Sequence, residues 1–178
     1  MATVRPYPAS QEMSATTFAT VTYPEATPDE GELFVRWLDF LRAGVVVKLD
    51  GLSEDQARWR PDGKLISVLG VVNHLTHVEW RWIDGAFLGG ETSRTEEEFH
   101  PTPGTTVSDI VSRYRERGQA TARAVRQAGH LSLGCAHPQA KGRDLRWVLL
   151  HLVEETARHA GHADSTRELL DGTTGVQG

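Results

Sequence analysis

Four long segments of the chain repeat their apolar residues every three or four positions, and no segment alternates apolar and polar residues as a strand would. In the first, "TPDEGELFVRWLDFLRAGVVVKLDGL", Leu33, Trp37, Phe40, Leu41 and Val45 follow this spacing. The spacing gathers side chains on one face of an α-helix. Four such helices must bury their apolar faces against each other, so the sequence predicts an all-α four-helix bundle.

Capping residues predict where the helices begin and end. Pro28 suits the first helical position of the first helix, and Ser67 suits the cap of the second, "VLGVVNHLTHVEWRWIDGAFLGG". The third is "TVSDIVSRYRERGQATARAVRQAG", and the fourth runs from about Arg143 to Leu170. The segment "SEDQARWR" predicts a short helical turn. Residues 90–105 and 131–142 are predicted to be loops, and long loops in a compact domain are often functional.

The composition changes near residue 28. Residues 1–28 are rich in Pro, Thr, Ala and Ser and show no apolar period, which predicts an extended or flexible N-terminal arm. Residues 29–178 are long enough to form one domain with a hydrophobic core.

Charge and cysteine content make several classes of function improbable. The net charge is −5, whereas a nucleic-acid-binding protein usually carries a basic face. No apolar run is long enough to cross a membrane, and "MATVRPYPASQEMSATTF" lacks the apolar core of a signal peptide, so we expect a cytoplasmic protein. Cys135 is the only cysteine, which excludes an internal disulfide and a cysteine-based zinc site.

Polar residues occupy core positions in the segment "HLVEETARHAGHAD" of the last helix. Its apolar spacing runs through Val148, Leu152, Glu155, His159, His162 and Leu169. Glu155 and His159 are four residues apart, so they lie one above the other on the face predicted to turn inward. On the second helix, His74 is likewise a polar residue at a predicted core position, between Val71 and Val78. Polar groups in a core cost stability unless something pairs with them.

His74, Glu155 and His159 could supply three ligands to a divalent metal from two helices of a bundle, with one position left open. Zinc suits this set, and so does Fe(II). The competing interpretation is that His74 is a packed core histidine and that Glu155 and His159 form a helix-surface pair. His77 and His151 compete for the ligand positions, and together with His162 they could instead line the pocket or orient a ligand.

Four segments of the chain resemble the DinB-like superfamily, and more narrowly its actinobacterial branch, whose members are described as mycothiol transferases. They are "LDGLSEDQARWRPDGK", "SVLGVVNHLTHVEWRWIDGAFLGG", "SDIVSRYRE" and "DLRWVLLHLVEETARHAGHADSTRELLDGTTG", and the similarity covers roughly residues 30–175. The resemblance implies a DinB-like four-helix bundle that binds a divalent metal through one ligand on the second helix and two on the last.

At the positions of the superfamily's metal ligands this chain has His74, Glu155 and His159, so the resemblance implies that these three residues are the ligands. Many members of the superfamily carry histidine at all three positions, whereas this chain has Glu155. In this it is similar to the mycothiol-dependent maleylpyruvate isomerases, which bind zinc through a His, Glu, His set. The resemblance places His162 in the pocket, because many relatives have glutamine there. His77, His151 and Arg158 are predicted in the pocket or around the ligands.

The resemblance further implies a metal-dependent thiol S-transferase. Mycothiol would be the cosubstrate, and an electrophilic small molecule would be the acceptor. The metal is expected to be zinc. No catalytic side chain is expected beyond the metal site. The resemblance also allows a homodimer. Two alternatives stay open: a metal-dependent hydrolase that uses the open position for water, and a natural-product pathway protein with a repurposed or metal-free pocket.

Overall fold

The computed structural model describes residues 22–174, and in that part of the chain helices pack side by side with no β-strand. The helices are α1 (Glu30–Val46), the short α2 (Glu54–Arg58), α3 (Val68–Trp80), α4 (Val107–Ala128) and α5 (Leu145–Asp171). The four long helices contact one another, α1 with α4 and α5, and α3 with α4 and α5. This confirms the predicted all-α bundle.

Side-chain caps fix the starts of the long helices. The Asp29 carboxylate accepts a hydrogen bond from the backbone N–H of Glu32 at 2.9 Å, so α1 begins at Glu30 and not at Pro28 as predicted. Asp144 caps α5 in the same way, through the N–H of Trp147. The last helix therefore begins two residues after the predicted start at Arg143. Ser67 caps α3 as the sequence indicates.

The helix predicted to run unbroken to the Gly89–Gly90 pair changes its winding at Arg81. Residues Arg81–Phe87 form a π-helix, a rare conformation that often occurs at functional sites. The chain then folds back, so that a Cβ atom at Gly85 would lie 2.4 Å from the carbonyl oxygen of Glu91. Only glycine fits this contact, which fixes the following loop against the π-helix.

We expect Gly85→Ala to lower the free energy of unfolding by about 1–3 kcal/mol, because the added methyl group forces the loop at Glu91 away. Urea denaturation measures the change. Gly161→Ala on α5 is the matched control: a Cβ there meets no atom within 4 Å, and removing a helical glycine should stabilise by about 0.5–1 kcal/mol. Equal effects of the two substitutions would contradict the close contact at Gly85.

The apolar spacing predicted the core of α3 and much of that of α5, but of the face predicted for α1 only Val45 is buried. The buried apolar side chains of α1 are Val35, Leu38 and Val45, whereas four residues of the predicted face are half-buried: Leu33, Trp37, Phe40 and Leu41. The buried side chains include Val45, Val71, Val72, Leu75, Val78, Val148 and Leu152. Leu169, which the spacing placed on the inner face of α5, is 47% exposed. At that end of the helix Thr166, Arg167 and Leu170 are buried instead, so the inner face has turned away from Leu169.

Buried ion pairs join the helices. Arg42 on α1 donates from Nε and Nη2 to the two carboxylate oxygens of Glu79 on α3, both at 2.7 Å, and the Thr121 hydroxyl of α4 donates to the same carboxylate. Arg167 donates from Nη1 to the carbonyl oxygens of Lys48 and Asp50 and pairs with Asp171. Arg42 therefore joins α1, α3 and α4, and Arg167 joins α5 to the segment that follows α1.

The predicted arm over residues 1–28 is only partly visible, since residues 1–21 lie outside the described residues. Residues 22–28 contain neither helix nor strand. The Tyr23 ring stacks on Phe40 with centroids 4.8 Å apart, and Arg36 donates to the carbonyl oxygen of Glu25. This part of the arm therefore lies against α1. No helix among residues 22–174 has the length and apolar character needed to cross a membrane.

Candidate metal centre

His74, Glu155 and His159 meet where α3 packs against α5. One potential ligand atom of each residue lies within 4.8 Å of those of the other two. The rings of His74 and His159 have centroids 4.7 Å apart, and His159 Nε2 lies 3.5 Å from a carboxylate oxygen of Glu155. The structure thus brings together the three residues that the sequence singles out, and their donor atoms are close enough to share one ion.

Burial keeps both histidines uncharged. It lowers the pKa of His74 to about 3, with a further contribution from His159, and it lowers the pKa of His159 to about 4, with a further contribution from His162. At neutral pH both rings therefore offer a free lone pair, the form that binds metals. His74 is 4% exposed, and its Nδ1 is buried with no hydrogen-bond partner. A buried, unpaired nitrogen costs stability unless a ligand uses it, so this donor set fits a divalent metal.

Charged neighbours surround the candidate ligands. Arg158, on the outer side of α5, contacts the Glu155 carboxylate and also lies 3.3 Å from Glu154. On the other side, a carboxylate oxygen of the fully buried Glu98 lies 3.9 Å from His74 Nδ1, and Glu98 forms an ion pair with Arg81. Arg158 thus lies where it can orient Glu155. Glu98 and Arg81 place a buried ion pair beside His74.

The other histidines named from the sequence lie around this group at different distances. His162 is exposed, with its Nδ1 3.4 Å from that of His159, so the spacing that placed it on the inner face was wrong. His77 bonds through Nδ1 to the carbonyl oxygen of Asn73, one turn earlier on α3. His151 is half-buried and forms a second close group with Glu154 and Glu155. His151 therefore adjoins the candidate ligands through Glu155.

An aromatic cluster next to His151 was not predicted as part of the site. The His151 ring lies 4.6 Å from that of Trp82 and 5.4 Å from that of Trp147 between centroids. The Arg143 guanidinium carbon lies 4.5 Å from the Trp147 ring centroid, a distance typical of a cation–π contact. Trp147, His151, Glu155 and His159 follow each other at intervals of four residues on α5, a signal that could have linked this cluster to the ligands.

The single cysteine takes no part in this group. Cys135 lies in the segment that links α4 to α5 and is half-buried. Its pKa is raised, mainly by burial and to a smaller extent by the negative charge of Asp144. A thiol with a raised pKa is a poor nucleophile at neutral pH. Cys135 is therefore an unsuitable nucleophile, as its isolation in the sequence indicates.

Comparison with known proteins gives one finding. A sequence model of the family described as Mycothiol-S-transferase matches residues 33–172. This range contains all three candidate ligands and all of the bundle except the first three residues of α1. No curated protein matches the chain.

Proposed function

Because the chain belongs to the mycothiol-S-transferase family, we propose that it is a metal-dependent thiol S-transferase that joins mycothiol to an electrophilic small molecule. The observation that carries the metal dependence is the convergence of His74, Glu155 and His159, with the buried Nδ1 of His74 left without a partner. The homodimer and the cytoplasmic location expected from the sequence stay predictions.

Three residues would hold the metal: His74 from α3, and Glu155 and His159 from α5. Two neutral imidazoles and one carboxylate are a common ligand set of catalytic zinc, which keeps a fourth position open. A divalent metal bound there would lower the pKa of a coordinated thiol, so that the thiolate forms at neutral pH.

The chain's own residues would prepare this site in three ways. Burial keeps the imidazoles of His74 and His159 unprotonated and available. The contact with Arg158 would hold the Glu155 carboxylate in one orientation. The Phe99 ring stacks on His74 with centroids 4.6 Å apart and shields that ring from water.

The transfer itself needs no nucleophile from the protein. The thiol loses its proton, and the sulfur electron pair forms a bond to the electrophilic carbon. A leaving group then departs with its electron pair, or, when the acceptor is an electron-poor C=C bond, the neighbouring carbon takes up the proton. This agrees with Cys135 being the only cysteine and lying outside the group.

Removal of the metal tests the proposal. Zinc-loaded protein is expected to join mycothiol to 1-chloro-2,4-dinitrobenzene with release of chloride and a proton. The absorbance of the product measures the rate. Chelator-treated protein should lose at least about 90% of this rate and regain it with zinc, because without the metal the mycothiol thiol keeps its ordinary pKa and is mostly protonated at neutral pH.

Circular dichroism before and after chelation is the control for folding. A well-folded protein that never binds a divalent metal would refute the metal-dependent mechanism. Metal binding with no thiol binding would refute S-transfer and favour the hydrolase.

A further inference from the structure

The loop between the π-helix and α4 returns to α3 and reaches His74. In this loop the residues Glu96–Glu98 form a 3-10 helix, and Phe99 follows it. The Phe99 ring stacks on the His74 imidazole at an interplanar angle of 21°, with centroids 4.6 Å apart. The His159 ring contacts the same imidazole at an angle of 64°. The imidazole of His74 therefore has two ring contacts, one from the loop and one from α5.

Helix α3 by itself leaves the plane of the His74 imidazole undetermined. The torsion about the Cβ–Cγ bond of histidine has broad minima, so the backbone allows a wide range of ring planes. The Nδ1 atom of His74 has no hydrogen-bond partner among residues 22–174, whereas that of His77 bonds to the carbonyl oxygen of Asn73. A histidine that binds a metal is usually oriented by a hydrogen bond to its second ring nitrogen. At His74 the stacked Phe99 ring is the contact suited to this task.

Asn73 attaches this loop to α3 through two hydrogen bonds. Its side chain is buried, and its Nδ2 donates to the backbone carbonyl oxygens of Glu97 and Glu98, both at 3.0 Å. The amide nitrogen of asparagine carries two donors, and both are used on the two residues that precede Phe99. An aspartate of the same shape would present an oxygen to these carbonyl oxygens and could not replace it.

Gly70 lets the same loop lie directly on α3. A Cβ atom at this position would be 2.5 Å from the carbonyl oxygen of Phe99, so the loop would have to move. Beyond Phe99 in the chain, Arg58 of α2 donates to the carbonyl oxygen of Pro101 at 2.9 Å. The main chain is therefore held before, at and after Phe99.

We infer that Asn73 is a positioning residue for His74. By holding the segment Glu97–Phe99 on α3, it keeps the Phe99 ring against the imidazole and sets the plane in which His74 presents its nitrogen to a ligand. The position of the ring follows from contacts within this chain. The effect on metal binding rests on the proposed function, since it requires His74 to be a metal ligand.

Proton NMR of the metal-free protein, at slightly alkaline pH, tests the position of the ring without any metal. A ring stacked on the imidazole shifts the carbon-bound protons of His74 upfield, and their absence in His74→Gln identifies these signals. Phe99→Ala and Asn73→Ala should both move them downfield, whereas Phe99→Tyr, which keeps a stacked ring, should leave them nearly in place. Thr76→Val is the matched control, because the Thr76 hydroxyl bonds within α3 to the carbonyl oxygen of Val72. Unmoved signals in folded Asn73→Ala would overturn the inference.

Gly70→Ala decides the question if Asn73→Ala does not fold. Alanine is the better helix former, so this variant keeps α3 while its Cβ atom displaces the carbonyl group of Phe99. The His74 signals should again move downfield. If they stay in place, the loop does not fix the ring and the inference is wrong.

Titration with Co²⁺ measures the consequence for metal binding, since the visible absorption of this ion changes with its coordination geometry. Asn73→Ala and Phe99→Ala should each weaken Co²⁺ binding about 10-fold and alter the spectrum, because a residue that orients a ligand has effects of this size. The double variant should again lose about 10-fold, because Asn73 acts through Phe99, whereas independent effects would multiply to about 100-fold. A multiplied loss would contradict the inference. A merely structural role would lower the stability to urea and leave the Co²⁺ spectrum of the folded variant unchanged.

The two measurements separate this inference from the proposed function. His74 signals that move as expected, in a protein that binds no divalent metal, would support the role of Asn73 and refute the metal-dependent mechanism. Unmoved signals together with normal Co²⁺ binding would leave the metal centre intact and refute the role of Asn73.

Discussion

His159→Ala is expected to reduce the zinc content from about one ion per chain to background and to lower the rate of mycothiol transfer more than about 100-fold. Replacing a residue that only orients a ligand lowers metal affinity or activity about 10–100-fold. Replacing a ligand itself should therefore lower them by a larger factor. Elemental analysis and the transfer assay measure the two effects. The variant should remain folded, because removing the ring relieves a buried, half-satisfied group that is only 13% exposed.

His162→Ala is the matched control for this experiment. His162 lies three residues further along the same helix, and its ring centroid is 5.2 Å from that of His159, yet it is exposed and outside the ligand group. Its removal should leave the zinc content unchanged. If the two variants lose zinc equally, the assignment of His159 as a ligand and of His162 as an exposed neighbour is wrong.

Arg42→Met should lower the free energy of unfolding by about 3–5 kcal/mol, the largest effect on stability that we expect from a single substitution. The side chain of Glu79 is 1% exposed, and without Arg42 the one hydrogen-bond partner left to its carboxylate among residues 22–174 is the hydroxyl of Thr121. A buried charge without its counter-ion is far more costly than the pair. Urea denaturation of the metal-free protein measures the loss without a contribution from metal binding.

Two further variants show whether charge or packing is responsible. The double variant Arg42→Met/Glu79→Leu should be clearly more stable than Arg42→Met alone, because no buried charge remains. Arg146→Gln, which breaks the exposed pair with Glu30, should leave the free energy of unfolding nearly unchanged. A double variant as unstable as the single one would show that the Arg42 side chain acts through packing.

The bundle and the candidate ligands could be predicted because both depend on one local regularity. The interval of three or four residues puts Val71, His74 and Val78 on one face of α3, and it puts Glu155 and His159 on one face of α5. Packing of α3 against α5 then brings these faces together. The same rule failed at His162 and Leu169, since it assumes that the inner face keeps a constant direction along a 27-residue helix.

The residues around the candidate ligands, and the cavity of about 220 Å³ beside Trp82, could not be predicted, because their residues meet only through tertiary packing. Glu98 lies in a run of three glutamates, and nothing local distinguishes the one that is buried beside His74 and Arg81. Arg143 is remote in sequence from Trp82, which it approaches in the fold. The π-helix at Arg81–Phe87 has no sequence signal comparable to a cap or a glycine terminator, and it determines which side chains of that segment reach the cavity.

The π-helix also limits how this protein can change during evolution. Removing one residue from Arg81–Phe87 would restore ordinary α-helical winding there and change which side chains of this segment, among them Trp82 and Ala86, line a cavity of about 220 Å³ beside the aromatic cluster. Substitutions at Trp82 or Ala86 would alter the cavity and leave the ligands on α3 and α5 in place. Variation in the lining of this cavity should therefore arise through amino-acid replacement at constant length in this segment, because a one-residue deletion would remove the π-helix.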